Sequence, residues 1–297
     1  MKKFSFFVVT IILLYLASLL FASIYEKEDM SEKIAIVPIT GTITTYGGGS
    51  SIFATDSSSA TSIMMMLENA NKDPKVKGII LEINSPGGAV VASKEVANYV
   101  KKIEKPVVAW IREVGASGAY WIASSADKIV ADELSITGSI GVSGSYLEFS
   151  GLMEEYGVGY EELKSGKYKE SGVPFKKLTV EEKNLLQMKL DAIHDSFITD
   201  IAKNRNLKKE EVVSLANGIF YLGKEAYESG LIDILGSKDE AVNAVEELAN
   251  KKGLKVVQLK RRVSLFELLG KFSSNLFFEI GRGIGSEIKS SNFEVRV

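Results

Sequence analysis

The sequence predicts an α/β protein, because short apolar runs alternate with helix-patterned stretches along its first half. Ile34 to Ile39, Ile79 to Ile83, Val107 to Ile111 and Lys128 to Ala131 read as buried strands, and Ser62 to Asn71 and Val91 to Ile103 read as the helices between them. Such alternation builds a parallel or mixed sheet covered by helices. The Tyr46 to Ser59 stretch, rich in Gly, Ser and Thr, reads as a mobile loop within that body. The second half is mainly helical: Val180 to Arg205, Lys209 to Ala216, Lys224 to Ser229 and, after Gly236, Lys238 to Lys251.

Before the body, Phe4 to Tyr25 contains no charged residue. As a helix this stretch rises about 33 Å, enough to cross a hydrocarbon core of about 30 Å. Lys2 and Lys3 precede it and Glu26, Glu28 and Asp29 follow. The positive-inside rule then puts the start in the cytoplasm and the body on the extracytoplasmic side of the cell membrane, with residues 4–25 in contact with lipid. Phe21-Ala22-Ser23 is a poor cleavage site, so an uncleaved single-pass anchor is expected. The organisation expected is a cytoplasmic start at 1–3, an anchor at 4–25, a linker at 26–33, a body at 34–262 and an amphipathic C-terminal segment at 263–297. In that last segment Leu265, Leu268, Leu269, Phe272, Leu276, Ile280 and Ile284 share one face beside Lys260, Arg261 and Arg262. Such a face fits packing on the body or on a neighbouring subunit better than membrane-surface binding, since its glycines weaken a freestanding helix.

Composition excludes several chemistries. Among 297 residues, 36 Lys and Arg meet 38 Asp and Glu, a formal charge of −2 with no broad basic surface for nucleic acid. There is no cysteine, hence no thiolate nucleophile or thiolate metal site. The single histidine, His194, leaves only carboxylates for a metal, and neither a P-loop nor a Gly-x-Gly-x-x-Gly fingerprint is present; no metal or cofactor is expected.

The sharpest local signal is Val114-Gly115-Ala116-Ser117-Gly118-Ala119-Tyr120, which follows a predicted strand and opens a small-residue helical run. Strand-to-helix turns display nucleophiles, and flanking glycines let a substrate approach the backbone. A helix cap and a nucleophile fit Ser117 equally at this stage. A second signal, Asn84-Ser85-Pro86-Gly87-Gly88, ends another predicted strand. Adjacent glycines can aim N–H groups at one point, as an oxyanion requires, although Pro-Gly-Gly alone also marks an ordinary turn. A serine needs a base. His194 lies in a predicted helix among polar neighbours and reads as a solvated side chain. A lysine can serve if burial removes its proton, but the residues do not single one out, and Lys164-Ser165-Gly166-Lys167-Tyr168-Lys169 by itself reads as a solvated basic loop.

Taken together and in order, four segments resemble the signal peptide peptidase A family of serine peptidases, in its short single-module form. They are Asn84 to Gly88, Ala116 to Tyr120 with Ala126-Asp127-Lys128-Ile129 after it, Thr137-Gly138-Ser139-Ile140-Gly141-Val142, and Lys164 to Lys169. The resemblance implies a Clp/crotonase-like repeated ββα body. It also implies Ser117 as nucleophile, Lys169 as general base, Ser139 orienting that lysine, and an oxyanion site at Gly88 helped by Gly87 and Gly118. Ala119 and Trp121 depart mildly from the family's usual glycine and tyrosine.

The same resemblance implies an endopeptidase acting on cleaved signal peptides or other apolar, unfolded segments near the membrane, assembled as a homo-oligomeric ring. Three alternatives share features of this reading. One is a membrane peptidase with a single protein target, another a crotonase-type acyl-CoA enzyme, and the third a silent peptide-binding scaffold.

Overall fold

The computed structural model describes residues 10–18, 31–46 and 57–259. Residues 10–18 are helical (α1). Among the described residues no helix is long and apolar enough to cross a membrane. The rest of the expected anchor, the middle of the Gly/Ser/Thr-rich stretch and the amphipathic segment at 263–297 lie outside the described residues.

The body begins with β1 (Lys33–Thr40), β2 (Thr42–Thr44), β3 (Ser57–Ser59), α2 (Ala60–Lys72), β4 (Val76–Ser85) and α3 (Val90–Val100). It continues through β5 (Val107–Ala116), α4 (Gly118–Ser124), β6 (Lys128–Ala131), β7 (Ile136–Gly138) and α5 (Ser150–Glu155). The last part comprises α6 (Val180–Arg205), α7 (Lys209–Leu215), β8 (Phe220–Leu222), α8 (Gly223–Glu228), β9 (Ile234–Leu235), α9 (Lys238–Leu248) and β10 (Lys255–Gln258).

The main sheet runs β10-β1-β4-β5-β6-β9, every neighbouring pair parallel. The strand sequences read as continuous apolar runs because both faces are covered. Alternate residues still choose different faces. Ile34 and Ile36 of β1, Ile80 of β4, Val108 of β5 and Val130 of β6 pack with Ala241, Ala244 and Val245 of α9. Their neighbours Ala35, Val37, Ile79, Leu81, Val107, Ala109 and Ile129 join the larger core with α2, α3, α4 and the buried part of α6.

β5 is shared between two partners. Val108 to Ile111 pair with β6, whereas Val114 to Ala116 pair with β7, which in turn pairs antiparallel with β8. The sheet forks there, at the carboxyl ends of β4 and β5, where ligands of open parallel sheets characteristically bind.

α6 has 26 residues, about 39 Å of helix. Its buried apolar residues, Phe197, Ile198, Ile201 and Ala202, all lie in the second half; the first half buries only Glu182. The segment leading to it, residues 141–179, contains no buried residue. It nevertheless carries Leu147, Leu152, Tyr156 and Leu163, all exposed.

Four expectations need correction. The Ser57–Ser59 end of the expected loop is a strand paired with β2, fixed by Ser58 Oγ, which donates to the Thr40 carbonyl at 2.7 Å and accepts the Thr40 N–H at 2.8 Å. A polar strand has no apolar alternation to betray it. β5 runs past Arg112 and Glu113 to Ala116, because those side chains lie at the exposed end of the sheet. The C-terminal half also contains β8, β9 and β10, and α9 ends at Leu248, short of Lys251.

Candidate active site

The glycine loop after β4 is locked from below. Ser85 Oγ donates to the Gly41 carbonyl at 2.6 Å and accepts the Gly87 N–H at 3.1 Å. Ile43 of β2 then clamps the loop by donating to the Gly87 carbonyl at 2.9 Å and accepting from Ala89 N–H at 2.8 Å. Between these two bonds the Gly88 N–H points away from the clamp, and among the described residues it has no protein acceptor. Only glycine fits here, since a Cβ on Gly88 would sit 2.1 Å from the Ile43 carbonyl oxygen.

The second loop follows β5. Ser117 N–H donates to the Gly138 carbonyl at 2.8 Å, and Trp121 N–H to the Ser117 carbonyl at 3.0 Å, so one residue turns strand into helix. The turn forces Ser117 to φ 53° and ψ −124°, a conformation a residue with a side chain adopts only where its surroundings hold it. Ser117 stands at the helix cap position, but its side chain makes no cap hydrogen bond. The capping reading therefore fails. A second non-glycine residue at positive φ, Ser139 at 48°, follows β7, and its Oγ donates to the Gly218 carbonyl at 2.9 Å.

Two cavities meet at Ser117. The larger, about 330 Å³, is mostly polar and includes Ser139, Gln187, Asp191, His194 and Asn217 in its wall. The smaller, about 110 Å³, is walled by Gly88, Gly118, Val90, Trp121, Val142 and Phe197. Its floor is fixed: Trp121 stacks on Phe197 with ring centroids 4.3 Å apart, and its Nε1–H donates to Asp200 at 3.1 Å. The next residue back, Tyr120, is fully buried, its hydroxyl donating to the Leu231 carbonyl at 2.7 Å, and burial pushes that phenol well above its ordinary range. Among the described residues no cluster of His, Asp and Glu could hold a metal.

Residues 99–252 match the model of Peptidase family S49, and residues 48–131 match that of Clp protease. A Methanocaldococcus jannaschii protein whose given name is that of a protease is 36% identical over 96% of this chain and 94% of its own length. The chain belongs to peptidase family S49. It is a serine peptidase on a mixed α/β, Clp protease-like body. An Enterococcus faecium relative named for signal peptide peptidase SppA is 33% identical over 82% of this chain and 80% of its own length. Protease 4 of Haemophilus influenzae is 34% identical over 78% of this chain, which spans 37% of that longer protein.

Within this S49 peptidase the residues singled out from sequence do not all converge. Ser117, Gly88 and Gly118 line one cavity, and Ser117 and Ser139 line the other. Gly87 is a correction: its N–H is taken by Ser85 Oγ, and its φ of 99° serves the turn, so it is no oxyanion donor. Gly118 remains, its N–H at the start of α4 without an acceptor among the described residues. Lys169 lies apart. It is exposed, lines neither cavity, and its amine bonds to no described residue. His194 is likewise not the solvated residue expected: it is half-buried in the larger cavity, its Nε2–H donating to the Ile140 carbonyl at 3.3 Å. The sequence hid this because α6 looks polar around His194, and only the packing of its second half turns that face inward. The smaller cavity's Val90 and Phe197 were also missed; Trp121 stood inside the serine motif and was the available signal.

Proposed function

We propose that this S49 peptidase is a membrane-anchored endopeptidase that cuts apolar, unfolded peptides such as cleaved signal peptides, with Ser117 as nucleophile and Lys169 as general base. The observation that carries it is the uncapped Ser117 side chain, held at φ 53° between the two cavities beside two N–H groups without protein acceptors. The Gly88 and Gly118 N–H groups would receive the oxyanion, each such donor typically contributing about 10²- to 10³-fold in rate. The Val90, Val142, Trp121 and Phe197 side chains in the wall of the smaller cavity would receive an apolar side chain next to the bond being cut. The charge-free stretch at 4–25 would place the body on the extracytoplasmic face, near segments of that kind.

The reaction runs in two halves. Ser117 Oγ attacks the peptide carbonyl as its proton passes to the neutral lysine, and the tetrahedral intermediate collapses when that proton goes to the leaving amine. Water then attacks the acyl-enzyme, assisted by the same lysine. A lysine acts as a base only where burial removes its proton. The single chain offers Lys169 no such burial, which supports a homo-oligomeric ring in which the lysine of one subunit enters the polar cavity of the next, towards Ser139. The exposed apolar side chains of 141–179 give that contact its surface.

The test uses full-length chain in detergent and a quenched fluorescent apolar peptide. Ser117→Ala and Lys169→Ala are each inactive alone, and mixing the two restores activity because some interfaces pair an intact serine with an intact lysine. His194→Ala stays active. Its place in the wall of the same cavity as Ser117 makes histidine a competing base, and an inactive His194→Ala with an active Lys169→Ala would replace the lysine reading by that one.

A further inference from the structure

The loop that carries Lys169 is tied down on both sides of it, residue by residue. On the near side, Lys167 Nζ donates to the two carboxylate oxygens of Glu181 at 2.8 and 2.7 Å, and the Tyr168 hydroxyl donates to the same group. On the far side, Glu170 accepts from the Tyr160 hydroxyl at 2.8 Å, and the Ser171 hydroxyl donates to Glu182 at 3.0 Å. Backbone turns close the arrangement, Lys169 N–H to the Gly166 carbonyl at 3.2 Å and Ser171 N–H to the Tyr168 carbonyl at 3.1 Å. Between four anchored neighbours stands the one side chain with no bond to a described residue, Lys169.

Glu181 and Glu182 are the first-turn acidic residues of α6. Acidic residues there are ordinary, because they offset the helix's positive end. Glu182 also forms the usual capping box, its carboxylate accepting the Thr179 N–H at 2.9 Å. Capping accounts for the Thr179 bonds alone. It does not call for Ser171 on the same carboxylate, for Lys167 and Tyr168 on the preceding one, or for Tyr160 on Glu170. Glu182 is the firm end of the set, its side chain only 5% exposed and Lys176 Nζ 3.6 Å away. The Thr179 N–H and then the Ser171 hydroxyl hold its carboxyl down at about 2, so the anchor stays charged wherever a peptidase works.

We infer that the start of α6 is a presentation frame: Glu181 and Glu182, with Tyr160, are positioning residues that hold the loop so that the Lys169 amine projects at a fixed place. This rests on the reading of Lys169 as the base. A lysine on an untethered loop would sample many positions, and misplacement of a catalytic group by about 1 Å can cost about 10²-fold in rate. The frame acts through the backbone and touches no substrate, so its loss lowers turnover and leaves binding alone.

The experiment measures kcat and KM of the full-length enzyme on the fluorescent peptide for Ser171→Ala, Tyr160→Phe, Glu182→Gln and Ser171→Thr, beside Lys169→Ala. Assembly is followed by sedimentation and folding by thermal melting. Ser171→Ala and Tyr160→Phe should each lower kcat about 10-fold at unchanged KM, assembly and melting temperature, and the pair about 100-fold. Glu182→Gln should fall at least as far. Ser171→Thr keeps the hydroxyl and should restore parental kcat. Parental kcat in Ser171→Ala and Tyr160→Phe, or losses that only follow disassembly or unfolding, overturns the frame while an inactive Lys169→Ala keeps the base reading. An active Lys169→Ala overturns the base reading itself.

Discussion

The Ser93 hydroxyl occupies the space that a side chain on Gly118 would need: a Cβ there would lie 2.3 Å from Ser93 Oγ and 3.0 Å from its Cβ. Ser93 is fully buried, and its oxygen has no hydrogen-bond partner among the described residues. A buried, unpaired hydroxyl is normally avoided. Here it fills the space next to Gly118, where α3 meets the start of α4.

Gly118→Ala should therefore lower both stability and activity, since the clash is with a packed helix. Adding Ser93→Gly, which removes both clashing atoms, should recover part of the melting temperature lost by Gly118→Ala. Additive losses in the double variant would show that the two positions do not press on one another.

Trp121 and Phe197, stacked on one another, line the smaller cavity beside Ser117. Trp121→Phe keeps the ring stacked but removes the bulk of the indole and its N–H bond to Asp200. Peptides with a larger apolar residue before the cut should gain in kcat/KM relative to those with a small one, by roughly 10-fold, the usual worth of a methylene or two. Measuring kcat/KM over a series from alanine to phenylalanine at that position checks this, and an unchanged ranking would place the specificity elsewhere.

Acid should loosen the start of α6 over a defined interval. The ordinary carboxyl value is 4.5 and that of Glu182 is about 2 in the folded protein, the Thr179 N–H being the largest cause. The carboxylate thus stabilises the fold fully above about 4.5, and that contribution is lost as pH falls through about 2. Urea unfolding followed from pH 6 to 2 should show a shallower acid decline in Glu182→Gln than in the parent, with the variant already weaker at pH 6. Parallel curves would remove Glu182 from the acid response; Glu181 and Asp73, held low by lysine partners, are among the other carboxylates that contribute to it.

Tyr120 ties α4 to the Leu231 carbonyl. Tyr120→Phe leaves the buried Leu231 carbonyl without its hydroxyl donor, which should cost about 1–3 kcal/mol. Denaturant unfolding gives the value directly. Peptidase activity well below the melting temperature should persist, because the ring itself stays buried in the core.

The sequence by itself determined the class of the body and its chemistry. Apolar runs at β1, β4, β5 and β6 declared buried strands of a parallel or mixed sheet because both faces of such a sheet are covered, and the absence of cysteine together with a single histidine removed most competing mechanisms. The segments around Gly88 and Ser117 were legible as glycine-rich turns, and the roles given to them and to Ser139 came from the ordered resemblance to a known family.

Only the tertiary structure decided which of these groups meet. It took Gly87 out of the oxyanion set by giving its N–H to Ser85, and it turned His194 into the cavity by packing half of α6. It joined Ser57–Ser59 to nearby β2 and Lys255–Gln258 to β1 at the other end of the body, strands too polar or too short to announce themselves. It also set Lys169 apart from Ser117. Spacing along a chain carries no distance across it, so a pair named together in sequence can stand apart until folding, or a second subunit, brings it together.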